Sequence, residues 1–145
     1  MLSVSEVRTA QDAQAWDEYV LSHPQASGYH LTAWRGIMET AFGQRTFYFY
    51  VKDERERIHG VLPLVLVASR LFGRFLVSMP FTNYGGVLSD TAEAQGALLG
   101  AAVDLAKELG AAHIELRQQG VLDLAWPGKQ HKVSMRLKLS VENCI

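Results

Sequence analysis

Strict alternation of apolar and polar side chains predicts strands at several places along the chain. Residues 2–7 form the first such stretch. Residues 45–52 form the second, with phenylalanine and valine on one face and tyrosine on the other. Residues 58–67 and 71–78 follow a charged turn and complete an antiparallel meander. Because Pro63 cannot donate a ladder hydrogen bond, its strand is predicted to lie at a sheet edge or to be bulged there.

Apolar side chains spaced three and four residues apart predict three helices. Thr9 and Asp12 form a capping box at the start of the first helix, and Pro24 ends that helix. Thr32 is predicted to cap the second helix, and Gly43 to end it. The apolar stripe of the second helix consists of Trp34, Ile37, Met38 and Ala41.

The third predicted helix is the longest, starting at Asp90 or Thr91 and running to Leu109. Two more alternating stretches follow, at residues 113–117 and 132–139. This element order predicts an α/β (α+β) fold, with a central mixed, largely antiparallel sheet and helices on both faces. A meander followed by a helix and a further strand fits the architecture of GNAT N-acetyltransferases, although fold analogy does not establish activity. Residues 1–145 are interpreted as a single GNAT-like domain.

Composition narrows the classes of function. The chain is 48% hydrophobic and 20% charged, with a net charge of −1, so no strong field draws nucleic acid or an anionic membrane to it. Its single cysteine, Cys144, excludes a disulfide within the chain. Residues 1–6 lack the pattern of a signal peptide, and the apolar run at 61–68 is too short to span a bilayer. The sequence therefore predicts a cytoplasmic protein without a transmembrane segment.

A polar, glycine-containing stretch at residues 78–88, called the connecting loop, joins the meander to the third helix and is the first candidate for chemistry. Asn83 offers a donor and an acceptor, and Tyr84 offers a ring face and a hydroxyl. Gly85, with a second glycine after it, permits positive φ and close approach of the backbone. These groups suit the binding of a sugar or a peptide. The alternative is a tight turn in which Tyr84 packs on the sheet.

Two further groups of residues are candidates for a site. His30, Thr32 and Trp34 cluster at the start of the second helix, although Trp34 is also suited to the core. Glu115 and Arg117 share one face of a strand, where they form a polar site or pair with each other. The five histidines lack metal-ligand spacing, so each is interpreted as a surface or hydrogen-bonded residue and no metal is expected. No residue is assigned as the general base.

The residues before the third helix indicate whether the chain can bind acetyl-CoA. GNAT enzymes that use acetyl-CoA carry an Arg/Gln-x-x-Gly-x-Gly/Ala run there, whose amides grip the pyrophosphate. Residues 82–90 contain two adjacent glycines but no Arg or Gln in the required frame, and Asp90 adds a negative charge. The sequence therefore predicts no cofactor. A stand-alone N-acetyltransferase that uses acetyl-CoA is the alternative.

Seven short motifs stand in a recognisable order along the chain. They are YHLTAW at 29–34, FG at 42–43, GVLPL at 60–64, SRLFG at 69–73, LVSMPF at 76–81, NYGG at 83–86 and HIELR at 113–117. Together they resemble the FemAB-like family, and most closely its branch associated with exosortase and PEP-CTERM exopolysaccharide systems. The resemblance extends over residues 16–139.

The resemblance implies a function that the composition does not show. FemAB-like proteins contain two GNAT-like domains and transfer an aminoacyl group from a charged tRNA to an amine of a peptidoglycan precursor, without acetyl-CoA or a metal. In that family, the positions matching Trp34 and residues 83–86 lie near the acceptor cleft of the first domain. The residues assigned to acceptor binding are Asn83, Tyr84, Gly85, Trp34, Thr32 and Arg117.

The length of the chain matches only the first of those two domains. The chain is therefore expected to be the N-terminal, acceptor-binding half of an aminoacyl or acyl transferase, and to be catalytically incomplete by itself. Its acceptor would be an amine of a peptidoglycan-like or exopolysaccharide-linked precursor, and aminoacyl-tRNA would be reached through a missing second domain. A non-catalytic scaffold domain is the remaining interpretation.

Overall fold

A computed structural model describes residues 1–120, 122 and 125–128, and every structural statement below refers to those residues. The elements are β1 (Ser3–Glu6), α1 (Ala10–Ser22), a 3-10 turn (Gly28–His30), α2 (Ala33–Thr40), β2 (Arg45–Lys52), β3 (Ile58–Ser69), β4 (Gly73–Val77), β5 (Leu88–Ser89), α3 (Ala92–Leu109) and β6 (Ile114–Glu115). The predicted strand at 132–139 lies outside the described residues. The two-residue strand β5 has no counterpart in the prediction, because so short a segment shows no alternation.

The strands form one mixed sheet. Along it the order is β1-β2-β3-β4-β6, and β5 pairs with β3 beyond the end of β4. All pairings are antiparallel except that of β4 with β6, which is parallel. The long helix α3 supplies the crossover that this parallel pair requires. The predicted central, largely antiparallel sheet is confirmed.

Helices cover both faces of the sheet, as the alternation in β2 predicts. Phe47, Phe49 and Val51 point to the face covered by α3, and they pack with a cluster that includes Leu98 of that helix. The tyrosines of β2 point to the opposite face, where they pack with α1 through Trp16. A strand buried on both faces needs apolar side chains at successive positions, which is why both sets are aromatic or branched.

Pro63 does not lie in an edge strand, and the prediction that placed it there is wrong. β3 runs through the middle of the sheet, with Pro63 paired to Tyr48 of β2. On its other side, β3 pairs with β5 at Val61 and resumes pairing with β4 at Val65, so Pro63 lies between those two pairings. A proline is tolerated there because that stretch has no strand partner on one side. The irregularity in register falls instead opposite Val51.

The helix ends follow the predicted signals in α1 and α3 but not in α2. Thr91 caps α3 by accepting from the N–H of Ala94. Gly110 ends it in the left-handed region at φ 63°. Thr32 stands at the N-cap position of α2, but its hydroxyl donates to Asp17 of α1 instead of capping. In the predicted stripe of α2, Met38 is the buried residue and belongs to the core cluster that contains Trp16. The two other aliphatic positions of that stripe, Ile37 and Ala41, are exposed.

Asp12 connects the capping box of α1 to the sheet. One carboxylate oxygen accepts from the N–H groups of Arg8 (3.0 Å) and Thr9 (2.9 Å), and the other accepts from the Tyr50 hydroxyl at 3.0 Å. The hydrogen bonds from the Arg8 and Thr9 backbone lower the pKa of Asp12 from 3.8 to about 2. Such bonds favour the charged carboxylate of the folded state.

We expect Asp12→Asn to lower the free energy of unfolding by about 1 kcal/mol at pH 7, the usual size of a lost capping interaction. Because the folded pKa is depressed, this contribution is present above pH 3.8 and is lost as the pH falls towards 2. The gap between variant and wild type should therefore close in acid. Urea denaturation at pH 7 and at acid pH measures it, with the exposed Asp104→Asn as the control. An equal gap at both pH values would contradict the assignment.

Candidate functional site

The connecting loop is joined along its length to the chain that follows β6. The N–H of Ser78 donates to the carbonyl of Glu115 at 2.9 Å, and the Ser78 hydroxyl accepts from the N–H of Arg117 at 2.7 Å. Arg117 then donates from Nη1 to the carbonyl of Thr82 at 2.8 Å, and its own carbonyl accepts from the N–H of Gly85 at 3.1 Å. The pairing of β4 with β6 thus continues into the loop and fixes its path.

The backbone of the loop adopts conformations that most residues avoid. Met79 and Phe81 have φ values of 59° and 66°, although neither is glycine. Met79 is fully buried, and the Tyr48 hydroxyl donates to its sulfur at 3.4 Å. Gly85 has φ 150°, and a Cβ built on it would lie 2.5 Å from the Cβ of Met79. Strained backbone of this kind persists only where the surrounding contacts enforce it.

The second glycine of the pair allows close approach by Gln118. A Cβ at Gly86 would lie 3.1 Å from the Cα of Gln118 and would collide with its side-chain amide. That amide pairs with Val87 in both directions, accepting from its N–H at 2.9 Å and donating to its carbonyl at 2.9 Å. The sequence analysis did not identify Gln118. A single glutamine in a polar stretch carries no signal of such a bond.

His30 joins the 3-10 turn to the connecting loop. Its Nδ1 accepts from the N–H of Ser27 at 3.1 Å, so the proton is on Nε2, which donates to the carbonyl of Gly86 at 3.0 Å. The indole of Trp16 donates to the carbonyl of His30 at 2.6 Å. Burial is the main cause that lowers the pKa of His30 below its usual 6.5, so the ring stays neutral in the folded protein.

The predicted binding residues differ in what the structure leaves available. Asn83 is exposed, and Tyr84 is half-buried, outside both core clusters. Arg117 is half-buried and pairs with Glu115 at 3.0 Å, which is the pairing that the sequence offered as an alternative to a polar site. Among the predicted binding residues of the loop, Asn83 therefore has the exposed polar side chain, and Tyr84 is half-buried beside it.

The other two predicted residues lie across the 3-10 turn from the loop. Thr32 is bound to Asp17 through both its N–H (2.8 Å) and its hydroxyl (2.7 Å). The indole of Trp34 donates to the carbonyl of Gly28 at 3.1 Å, and its ring lies 5.5 Å from that of Tyr29. His30 connects this region to Gly86, so both groups of predicted residues belong to one bonded unit.

Five titratable residues, here called the Asp90 cluster, gather beside the start of α3. Asp90 accepts from the Tyr19 hydroxyl at 2.9 Å, and Nδ1 of His59 lies 3.4 Å from its other oxygen. Nε2 of His59 is 3.0 Å from Asp53, and Nε2 of His23 is 3.9 Å from Asp90. The hydrogen bond with His59 is the main cause that lowers the pKa of Asp53 to about 2. Sequence reasoning missed the cluster because its members come from separate elements.

A cavity of about 550 Å³ opens next to this cluster. Asp90 contributes the charged side chain of its lining, and the other polar lining groups are amides and hydroxyls. They come from Gln25, Ser89, Thr91, Gln95, Gln118 and Gln119. Because Gln118 also binds Val87, this side chain links the lining of the cavity to the connecting loop.

Metal-binding clusters and membrane-spanning helices are both absent from the described part of the chain. In residues 1–120, 122 and 125–128, no group of three or more His, Cys, Asp or Glu side chains is arranged to hold a metal ion. No helix in the same residues is long and apolar enough to cross a membrane.

Comparison with known proteins identifies the fold. No protein-family model matches the sequence, and no curated protein matches it. Solved structures do match. A transcriptional regulator from Bacillus halodurans C-125 superposes with a TM-score of 0.62 at 14% identity, over 94% of this chain and 100% of that chain. A ribosomal-protein-alanine N-acetyltransferase from Brucella melitensis biovar Abortus gives 0.61 at 10% identity, over 94% and 100% of the two chains.

A third solved structure carries the family name of the fold. A GNAT family acetyltransferase from Staphylococcus aureus gives a TM-score of 0.57 at 9% identity, over 94% of this chain and 98% of that chain. At such identities the likeness shows the fold alone. The predicted GNAT-like fold is thereby confirmed, whereas activity has to be argued from the residues of the site.

Proposed function

We propose that the chain is the acceptor-binding domain of an acyltransferase with a GNAT fold. More specifically, it is the N-terminal domain of a FemAB-like aminoacyl or acyl transferase that works in the cytoplasm. Its acceptor is an amine of a peptidoglycan-like or exopolysaccharide-linked precursor, and aminoacyl-tRNA is the donor, reached through a second domain. The GNAT neighbours support an acyltransferase, and the ordered motifs of the sequence support the FemAB-like assignment.

The observation that carries the proposal is the way the connecting loop is held. Its backbone is bonded to β6, to Gln118 and to His30, while Asn83 remains exposed and Tyr84 half-buried. A rigid loop that presents an amide and a phenol can bind a polar ligand with little loss of conformational entropy. A simple turn would need neither the strained Met79 nor the close approach at Gly85.

Acetyl-CoA is the cofactor that the fold family implies, and the start of α3 does not fit its pyrophosphate. The connection from β5 to α3 consists of Asp90 and Thr91, which leaves no room for a glycine-rich loop. The N–H of Ala94 is taken by the Thr91 hydroxyl, and Glu93 adds a negative charge in the first turn. Two carboxylates repel a pyrophosphate at the place where helix amides would grip it.

The chemistry of the proposed reaction defines what the loop must do. Acyl transfer to an amine requires a deprotonated amine and stabilisation of the developing oxyanion. The amide of Asn83 and the hydroxyl of Tyr84 can each donate and accept hydrogen bonds, so they can orient polar groups that the acceptor carries beside its amine. In a domain that supplies half of the active centre, orienting the acceptor is the contribution expected of these residues.

Titration calorimetry on the purified chain tests the proposal. The probes are acetyl-CoA and a soluble muramoyl peptide with a free side-chain amine. We expect the peptide to bind and Tyr84→Ala to weaken it about tenfold, the equivalent of about 1.4 kcal/mol. Tyr84→Phe separates the hydroxyl from the ring. Phe72→Ala removes an aromatic ring that is 78% exposed at the far end of β4, and it should leave the affinity unchanged.

The competing functions predict different results in the same titrations. Tight binding of acetyl-CoA, with acetylation of an amine, would establish a stand-alone N-acetyltransferase, which the GNAT neighbours also support. A scaffold domain would bind neither probe, and Tyr84→Ala would leave every ligand interaction unchanged. Peptide binding that is lost equally in Tyr84→Ala and Phe72→Ala would place the acceptor elsewhere on the domain.

A further inference from the structure

We propose that the cavity beside Asp90 binds a primary ammonium group carried on a polar molecule, of the kind found in an amino sugar or in an amine-bearing peptide. The inference rests on the proposed function in one respect, since it assigns the amine of the acceptor to a defined place. It differs in its evidence, which comes from the cavity and the Asp90 cluster and not from the connecting loop.

The lining of the cavity selects for a polar ligand with a positive charge. Asp90 is the charged side chain that contributes to the wall, and 37% of that side chain is exposed. Amides and hydroxyls from the chain after α1, from β5, from the start of α3 and from the segment after β6 make up the other polar lining groups. Hydroxyl and amide groups of a ligand can pair with these side chains, and an ammonium group can pair with the carboxylate. The described residues that line the cavity include no Arg or Lys, so an anionic ligand would face the carboxylate of Asp90 without a cationic side chain from them.

The surrounding hydrogen bonds hold the Asp90 carboxylate in one position. Its backbone N–H donates to the carbonyl of His59 at 2.9 Å, which extends the pairing of β3 with β5. The hydroxyl of Tyr19 donates to Oδ1 at 2.9 Å. Burial, followed by the bond to Asp90 and its charge, raises the pKa of Tyr19, so the hydroxyl remains a donor at neutral pH. A carboxylate fixed in this way is preorganised to receive a cation.

The charges of the cluster leave an excess of negative charge. The cluster contains two carboxylates, and His59 lies between them with one ring nitrogen near each. His23 accepts from the N–H of Gln25 through Nδ1, and its Nε2 lies 3.9 Å from Asp90. The two aspartate carboxylates share the single ring of His59, so a bound ammonium group would give Asp90 a cationic partner of its own.

Binding to small probes tests the proposal without any transfer reaction. The two ammonium probes are glucosamine and Nα-acetyl-lysine amide, and each has an acetylated counterpart that lacks the charge, N-acetylglucosamine and Nα,Nε-diacetyl-lysine amide. We expect one ammonium probe to bind with a dissociation constant of about 1 mM, and its counterpart to bind at least tenfold more weakly. The probe that binds identifies the source of the amine, a sugar or a peptide. Amide shifts in NMR spectra should change at Asp90 and Gln118.

Variants then tie the binding to the carboxylate. Asp90→Asn should weaken the ammonium probe about tenfold, and Gln95→Ala about threefold. The matched control is Glu93→Gln, which removes a carboxylate of the same turn that does not line the cavity and should leave the affinity unchanged. Thermal melting reports whether each variant is folded. If Asp90→Asn does not fold, two measurements still test the proposal. One compares the affinity of the wild-type protein for each ammonium probe and for its acetylated counterpart, and the other is the affinity of the Gln95→Ala variant.

Two results would overturn the proposal. One is equal affinity of the wild-type protein for an ammonium probe and its acetylated counterpart. The other is wild-type affinity in a folded Asp90→Asn, which would reduce the cluster to a support for the start of α3. Failure of the proposed function has a different signature. In that case the ammonium probe still binds through Asp90, while the muramoyl peptide does not depend on Tyr84.

Discussion

Gly85→Ala is expected to lower the free energy of unfolding by about 2–4 kcal/mol, the sum expected for overpacking and an unfavourable backbone conformation. The new methyl group would lie 2.5 Å from the Cβ of Met79. A Cβ is fixed to its backbone, so no rotation of the Met79 side chain can relieve the contact. Met79 itself is fully buried and has φ 59°, which leaves its backbone little freedom to retreat.

Urea denaturation monitored by circular dichroism measures this change. Gly96→Ala is the matched control, because Gly96 is exposed within α3 and a Cβ there meets nothing within 4 Å. That control should gain about 0.5–1 kcal/mol through higher helix propensity. If Gly85→Ala were as stable as the wild type, the path of the connecting loop past Met79 would have to be different.

His30→Ala is the second large effect that we expect, a loss of about 3 kcal/mol. The substitution leaves a cavity where a 4% exposed ring stood, and it leaves the carbonyl of Gly86 and the N–H of Ser27 without the ring as a partner. Buried polar groups that lose their partners carry the full cost of desolvation. His30→Gln keeps a donor of similar reach and should recover part of the loss.

The neutral state of His30 also predicts a dependence on pH. Its pKa is lowered in the folded protein, so below its usual value of 6.5 the unfolded chain takes up a proton that the folded chain does not. Stability from this residue is therefore full above pH 6.5 and declines as the pH falls, by at most about 1.4 kcal/mol per pH unit. Denaturation between pH 5 and 8 should show this slope in the wild type and a smaller slope in His30→Gln. Equal slopes would indicate that His30 does not stay neutral.

The structural roles of Gly85 and His30 can be predicted from the sequence to different extents. Gly85 was predicted to allow unusual backbone geometry, because a glycine pair in a polar stretch has few other uses. The partner that makes Gly85 necessary, Met79, lies six positions earlier and packs against it through a turn. His30 was grouped with Thr32 and Trp34 by proximity in sequence. Its bond to Gly86 spans 56 residues, and no local pattern encodes such a distance.

The secondary structure was predictable where a local rule dominates. The alternation in β2, the capping box of Thr9 and Asp12, and the glycine that ends α3 each depend on a few neighbouring residues. The local rules failed where the sheet decided the outcome. Pro63 by itself indicates an edge strand, yet β3 is central. The proline is tolerated because the two partners of β3 on one side, β5 and β4, leave Pro63 between their pairings.

The assignment of the binding residues remains a prediction from motifs, and the structure adds the geometry in which it can be tested. Asn83 and Tyr84 are predicted from their chemistry, and the fold places them in a loop whose backbone is bonded to His30 and Gln118. Asp90 was noted in the sequence only as a charge unfavourable to a phosphate. Its contacts with Tyr19, His59 and His23 come from residues 31 to 71 positions away, so only the folded chain reveals the cluster.

The sequence by itself determined the GNAT-like order of strands and helices and the connecting loop as the place of interest, since periodicity, caps and glycines act over a few residues. The tertiary structure alone decided that Gln118, Arg117 and His30 hold that loop, and that a carboxylate stands beside a cavity at the start of α3. The physical reason is that these bonds join residues far apart in the chain. Such bonds depend on where the sheet brings the elements together.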